Sequence, residues 1–155
     1  MTRAYVGLGA NLGDRESTIR RALVLLGDRP GVEILLVSTL RETEPVGFVD
    51  QPSFLNGVAM VETTLTPESL LAELLEVELE LGRERSGPRY GPRTIDLDLL
   101  LQGDLSVQVP GLRVPHPRLH ERAFALEPLV ELDPNIRIPG RGTVSEALAR
   151  LHSQA

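Results

Sequence analysis

Cysteine and lysine are both absent from the 155-residue chain. Without cysteine there are no disulfides and no thiolate zinc sites. Without lysine there is no Walker phosphate loop, whose G-x-x-x-x-G-K-[ST] pattern depends on that residue. Aromatic residues make up only 3 % of the chain, so the core must be built from Leu and Val. No apolar run reaches the 18 or more residues of a membrane span. The opening "MTRAYVGLGANLGD" moves directly into a strand-like pattern and lacks the order of a secretion signal. A net charge of −6 argues against broad nucleic-acid binding. The expectation is a cytoplasmic, monomeric protein with no membrane and no nucleic-acid partner.

What is present suits one domain, residues 1–155, around one core: 41 % of the residues are hydrophobic. All 16 basic residues are Arg. Codon bias or a hot habitat would account for that preference, but less readily for its distribution. Between Gly82 and Arg122 seven Arg face five acids, whereas the rest of the chain carries nine Arg against 17 acids. The planar guanidinium fork suits phosphate.

The hydrophobic pattern predicts a strand over Arg3–Ala10 and a helix over Arg15–Gly27 capped by Asp14, with Ile19, Leu23 and Leu26 on one face. Strands follow over Val32–Leu40 and Phe54–Leu65, separated by a long irregular loop, Arg41–Phe54, of the kind that often carries function. Thr66 and Pro67 open a second helix that stops at Gly82. A second charged loop, Arg83–Arg93, precedes the strand "TIDLDLLL". A hairpin is expected within Asp104–Val114 and a short helix around Glu121–Leu129. Thr143 and Glu146 form the capping box of a last helix. The order β-α-β-β-α-β predicts an α+β fold: a ferredoxin-like split βαβ antiparallel sheet, helices on one face, with a C-terminal extension. The other face is expected to be free for a site.

Asp96 and Asp98 stand inside an apolar strand. Strand alternation sends Ile95, Leu97 and Leu99 toward the helices and both carboxylates to the opposite face. Two adjacent carboxylates repel unless a cation lies between them. Mg²⁺ typically takes one or two carboxylates and completes its shell with water and phosphate oxygens. A solvated strand face is the plain alternative, weakened because Asp is disfavoured in strands. Glu78 poses a second question. It falls within the apolar stripe formed by Leu70, Leu71, Leu74, Leu75, Val77 and Leu81, where a carboxylate requires a partner or a cleft. A structural ion pair and a functional site explain it equally well. Gly7, Gly9 and Gly13 miss the dinucleotide spacing and read as tight turns.

The stretches "DQPSFLN", "GPRTIDLDLLL" and "VPHPRLHERAF" together resemble the 6-hydroxymethyl-7,8-dihydropterin pyrophosphokinase family. The likeness runs from "YVGLGANLGD" to "EPLVELDPN". It implies transfer of the β,γ-pyrophosphoryl group of the co-substrate ATP to the pterin hydroxymethyl group, with release of AMP, in folate biosynthesis. It also implies two Mg²⁺ ions on Asp96 and Asp98, and catalytic roles for Arg83 and Arg93, which would stabilise charge on the phosphoryl groups. ATP would meet Glu78, Arg85, Arg93, His116, Arg122 and the backbone around Leu99. The pterin would meet Thr43, Val46 and Asn56, its ring held between Phe54 and Phe124. Individually, Phe54 and Phe124 also read as core residues, His116 as a loop histidine and Asn56 as a strand-end polar residue. The chain departs from the family pattern at Leu75, Tyr90, Gly111 and Pro117, which bears on nucleotide affinity and loop closure. Rival readings are a metal-dependent phosphodiesterase or nucleotidyl transferase and a non-enzymatic binding module.

Overall fold

The structure is a computed structural model and describes residues 1–11, 13–43, 53–82 and 95–153. The elements in chain order are β1 (Thr2–Ala10), α1 (Arg15–Gly27), β2 (Val32–Val37), β3 (Arg41–Thr43), β4 (Phe54–Thr63) and α2 (Pro67–Gly82). Then come β5 (Asp96–Gln102), β6 (Val107–Val109), β7 (Leu112–Val114), a 3₁₀ turn (Leu119–Glu121) and α3 (Ala123–Leu132). The chain continues through β8 (Arg137–Ile138), β9 (Gly142–Thr143) and α4 (Val144–Ser153).

The main sheet runs β2-β4-β1-β5, with β3 also on β4, and every pairing is antiparallel. β1 is therefore central, and β5, which carries the aspartates, is an edge. Even-numbered side chains of β1, such as Val6 and Leu8, join Ala59 and Val61 of β4 and Leu97 and Leu99 of β5 in one core. Onto this face pack Ile19 and Leu26 of α1 and Leu70, Leu74 and Val77 of α2. Asp14 caps α1 by accepting from the Ser17 N–H at 3.1 Å, and Thr66 caps α2 through Ser69 at 3.2 Å. Arg29, beyond α1, reaches Glu73, Glu76 and Glu80 of α2 at 3.3, 3.1 and 2.9 Å.

Several expectations need correcting. The C-terminal extension does not leave the second face free. α3 and α4 cover its far half, where Leu126 and Leu129 pack with Tyr5, Val58, Met60, Leu100 and Leu101. A bulge makes that possible. The β1–β5 register jumps between Tyr5, opposite Leu101, and Val6, opposite Leu99. The extra residue turns two successive leucines to one side, as a bulge does. Arg41–Thr43, placed in a loop by composition, is a strand paired to Phe54–Asn56; its three polar residues carry no period to read. The strand expected to reach Leu40 ends at Val37. Leu75 is not in the core stripe but 53 % exposed. The helix expected near Glu121 is a 3₁₀ turn followed by α3, which begins only at Ala123. The Thr143–Glu146 capping box is present in both directions, at 2.9 and 3.1 Å. No helix among the described residues is long and apolar enough to cross a membrane.

Candidate active site

The near half of the second face is a trough, and the central strand makes it one. Gly7 and Gly9 have no side chains there. Gly7 lies between Val58 of β4 and Asp98 of β5; Gly9 lies between Asn56 and Asp96. The side chains of the two flanking strands thus face each other across a bare floor. The cleft is closed by His116, Leu119, Arg122 and Phe124 from the segment that enters α3. A Cβ on Gly9 would stand 2.9 Å from Asn56 Oδ1 and 4.0 Å from a Phe54 ring carbon. Gly7 and Gly9, read from the sequence as tight turns, are strand residues that floor the cleft. Their two-residue spacing on a strand, matching that of Asp96 and Asp98, is the signal in the sequence that reveals them.

Asp96 is half-buried and Asp98 exposed, and both line this cleft. Asp98 also lines a second cleft of about 290 Å³ with Leu97, Leu99, Gly111, Arg113, His116 and Pro117. Asp98 and His116 therefore stand where the two clefts meet. Leu99 contributes to the second cleft while its side chain stays in the core. Gly111 and Pro117 lie on this wall.

His116 is brought here by main-chain bonding. Its N–H donates to the Leu100 carbonyl at 2.9 Å, so the bulged stretch of β5 anchors the turn from β7. Its Nδ1 accepts from the Arg118 N–H at 3.3 Å, which leaves Nε2 as the donor of the neutral ring. Burial holds the imidazole below its usual pKa. Arg122 and Arg118 push the same way, and Asp98 opposes them. Arg122, at the N-terminal boundary of α3, sets its guanidinium 5.6 Å from the centre of the Phe124 ring, a cation–π distance. Phe124 is 36 % exposed.

On the opposite wall the Asn56 amide donates to the Thr43 hydroxyl. Thr43 pairs with Phe54 across β3 and β4, so three of the expected pterin-binding residues share one small hairpin. Glu78 has a main-chain partner on β5. Its carboxylate accepts from the Leu97 N–H at 2.7 Å, bracing β5 between the two aspartates. Arg83, Arg85, Arg93, Val46 and Tyr90 lie outside the described residues. The structure thus brings together Asn56, Asp96, Asp98, His116, Arg122 and Phe124 in one cleft.

Among the described residues no three or more His, Asp or Glu side chains cluster as metal ligands. Two carboxylates beside open space suit a hard cation that keeps water or phosphate oxygens in its shell, and they do not suit an enclosed metal cage. The Asn56 amide lines one wall of the cleft, and His116, Arg122 and the Phe124 ring line the facing one, an arrangement with room for both an anionic group and a planar ring. The protein is a transferase of phosphoryl groups. Residues 5–134 match the 7,8-dihydro-6-hydroxymethylpterin-pyrophosphokinase family, and the chain belongs to it.

Relatives called 2-amino-4-hydroxy-6-hydroxymethyldihydropteridine pyrophosphokinase include one from Bacillus subtilis, 46 % identical over 83 % of this chain and 77 % of its own. Another, from Pseudomonas aeruginosa, is 44 % identical over 95 % of this chain and 90 % of its own. Among solved structures, a Plasmodium falciparum HPPK-DHPS chain superposes with a TM-score of 0.78 at 16 % identity. It covers 99 % of this chain, which spans only 46 % of that longer one. That likeness concerns the fold. The enzyme transfers pyrophosphate from ATP to the hydroxymethyl group of 6-hydroxymethyl-7,8-dihydropterin in folate biosynthesis.

Proposed function

We propose that the trough carries this reaction with the nucleotide on the Asp98–His116 side and the pterin on the Asn56–Phe124 side. The observation that supports the assignment is the pair of glycines, which puts Asn56 and Asp96 on either side of one bare floor. The pterin alcohol oxygen attacks the β-phosphorus of ATP, the bond from that phosphorus to the oxygen bridging to the α-phosphate breaks, and AMP leaves. The alcohol proton passes to solvent. No side chain of the described site is placed as an obvious base, so rate comes from positioning and charge. Asp96 and Asp98 hold Mg²⁺, two ions in this reading. The cations offset negative charge on the polyphosphate when bound.

The neutral His116 donates from Nε2 to the nucleotide. Arg122 provides a fixed positive charge while its guanidinium leans on Phe124. Thr43 fixes the Asn56 amide and leaves its remaining donor and acceptor for the pterin edge. Phe54 and Phe124 hold the ring, with Val46 completing the pocket. The backbone at Leu99, and Glu78 and Arg85, serve ATP, and Arg83 and Arg93 act on the transferred group. The strand order supports reading the main sheet as a ferredoxin-like split βαβ within a single domain spanning residues 1–155. The protein works as a cytoplasmic monomer. AMP release from ATP, measured with and without the pterin, tests the assignment. Release only when pterin is present is expected. Equal release without it would instead indicate a phosphodiesterase using the same aspartates.

A further inference from the structure

Arg15 is the first residue of α1, a position where a cation opposes the helix dipole, so helix stability does not explain it. Its guanidinium reaches away from the helix. Nη1 donates to the Ser53 carbonyl at 2.8 Å, and Nη2 pairs with the Glu42 carboxylate. Ser53 immediately precedes β4, and Glu42 is the middle residue of β3. One side chain from α1 thus ties together the facing ends of the two strands that carry Thr43, Phe54 and Asn56.

β3 needs such a tie. It has three residues and, among the described residues, pairs with β4 alone, and a short two-stranded pairing is marginal by itself. Strand alternation settles which layer can help. Glu42, opposite Leu55, faces the α1 layer, whereas Arg41 and Thr43, opposite Asn56 and Phe54, face the trough. Arg41 is held from the trough side by Glu127 and Glu131 of α3, at 3.2 and 3.0 Å. Glu131 also accepts from the Thr39 N–H at 2.8 Å. The strand is therefore pinned by arginine–carboxylate pairs from both layers. Arg15 acts at the end nearer Thr43, whose hydroxyl receives the Asn56 amide.

We propose that Arg15 is a positioning residue for the pterin half of the site. Through Glu42 and Ser53 it holds β3 on β4 so that Thr43 fixes Asn56; the role in pterin binding rests on the site assignment above. Arg15 touches neither aspartate nor His116, so the nucleotide half does not depend on it.

The test uses the full chain as Arg15→Ala and Arg15→Lys, with three measurements. Hydrogen exchange of the β3 and Phe54–Asn56 amides needs no ligand. Affinities for 6-hydroxymethyl-7,8-dihydropterin and for a non-hydrolysable Mg·ATP analogue are measured separately. In Arg15→Ala, exchange should rise at β3 and the start of β4 and stay unchanged in β5. Pterin affinity should fall about fivefold, with nucleotide affinity intact. Arg15→Lys should recover part of the loss, because an ammonium keeps the attraction to Glu42 but lacks the fork that also reaches Ser53. Unchanged exchange would overturn the tie itself. Faster exchange with unchanged pterin affinity, or equal loss of both ligands, would overturn the positioning role. A wild-type chain that binds no pterin would sink the functional assignment, and the positioning role with it, while the exchange measurement still reads the tie.

Discussion

The second face of the sheet has two ends, and the same three strands build both. At one end β1, β4 and β5 present Tyr5, Val58, Met60 and Leu101, buried under α3 and α4. At the other they present Gly7, Gly9, Asn56, Asp96 and Asp98, left open as a cleft. The two ends share strands and antiparallel pairing and are separated by the bulge in the β1–β5 ladder; their side chains differ. Large apolar groups at the first end bring the C-terminal helices down, and burying each contributes roughly 1.5–3 kcal/mol. Glycine and carboxylate at the second end offer such a layer nothing to bury. The helices stop short, and their N-terminal approach, His116 to Phe124, becomes a wall of the cleft. The covered end thus holds the wall that the open end uses.

The sharpest way to probe the contrast is one substitution at each end. Asp98→Asn should leave thermal unfolding close to that of the parent and lower kcat about a hundredfold or more, since an exposed carboxylate facing the cleft does little for the core. Leu126→Ala, fully buried at the covered end, should do the reverse. It should cost about 2–5 kcal/mol in denaturant unfolding while the folded fraction keeps its turnover. If Asp98→Asn destabilised the chain as much as Leu126→Ala, the division between the two ends would collapse.

Filling the trough is the next test. Gly9→Ala places a methyl 2.9 Å from Asn56 Oδ1, so the Asn56 side chain must move. Pterin affinity should drop about tenfold, and unfolding should change by no more than about 1–3 kcal/mol, as read by titration calorimetry and thermal melts. Gly7→Ala, whose Cβ has Leu100 side-chain atoms as its nearest neighbours at an ordinary contact of 3.5 Å, is the matched control and should cost pterin affinity less.

The smallest expected effect is on pH. His116 is held below its ordinary pKa of 6.5, by burial first and the arginines second. Above 6.5 both folded and unfolded chains carry a neutral ring, and the group contributes nothing to the slope. As pH falls below 6.5 the unfolded chain takes the proton first, so stability declines until the pH passes the lowered folded value. His116→Gln should flatten that decline. An unchanged profile between the two proteins would mean that the ring is not held neutral by its surroundings.

Much of this contrast is legible in the sequence. Alternation in "TIDLDLLL" separated Ile95, Leu97 and Leu99 from the aspartates, because a strand has a strict two-residue period. The caps at Asp14, Thr66 and Thr143 followed from local chemistry. What escaped depends on tertiary context. The bulge at Tyr5–Val6, which turns both Leu100 and Leu101 to one side, leaves no mark on the residues themselves. β3 is too short and polar to show a period. Glu78 was recognisable as misplaced on its helix, but its partner, a main-chain N–H on another element, has no sequence signature. Gly7 and Gly9 were visible yet read as turns, since a glycine pair gains its meaning only when Asn56 and Asp96 are known to flank it.

The bond from Glu78 to the Leu97 N–H carries a consequence for strand register. Among the described residues β5 is an edge strand, paired with β1 alone, and its faces differ sharply: leucine and isoleucine toward the helices, aspartate toward the cleft. Slippage by a single residue would exchange the two sets and drive both carboxylates into the core. The ladder to β1 resists that slip from one side. From the other, Glu78 on the rigid helix α2 selects one particular amide, the one midway between Asp96 and Asp98. It also occupies a donor that an exposed edge would otherwise offer to a strand from another chain. A carboxylate out of place by the helical pattern therefore acts as a ratchet stop, holding the aspartate pair to the alignment that turns both side chains toward the cleft.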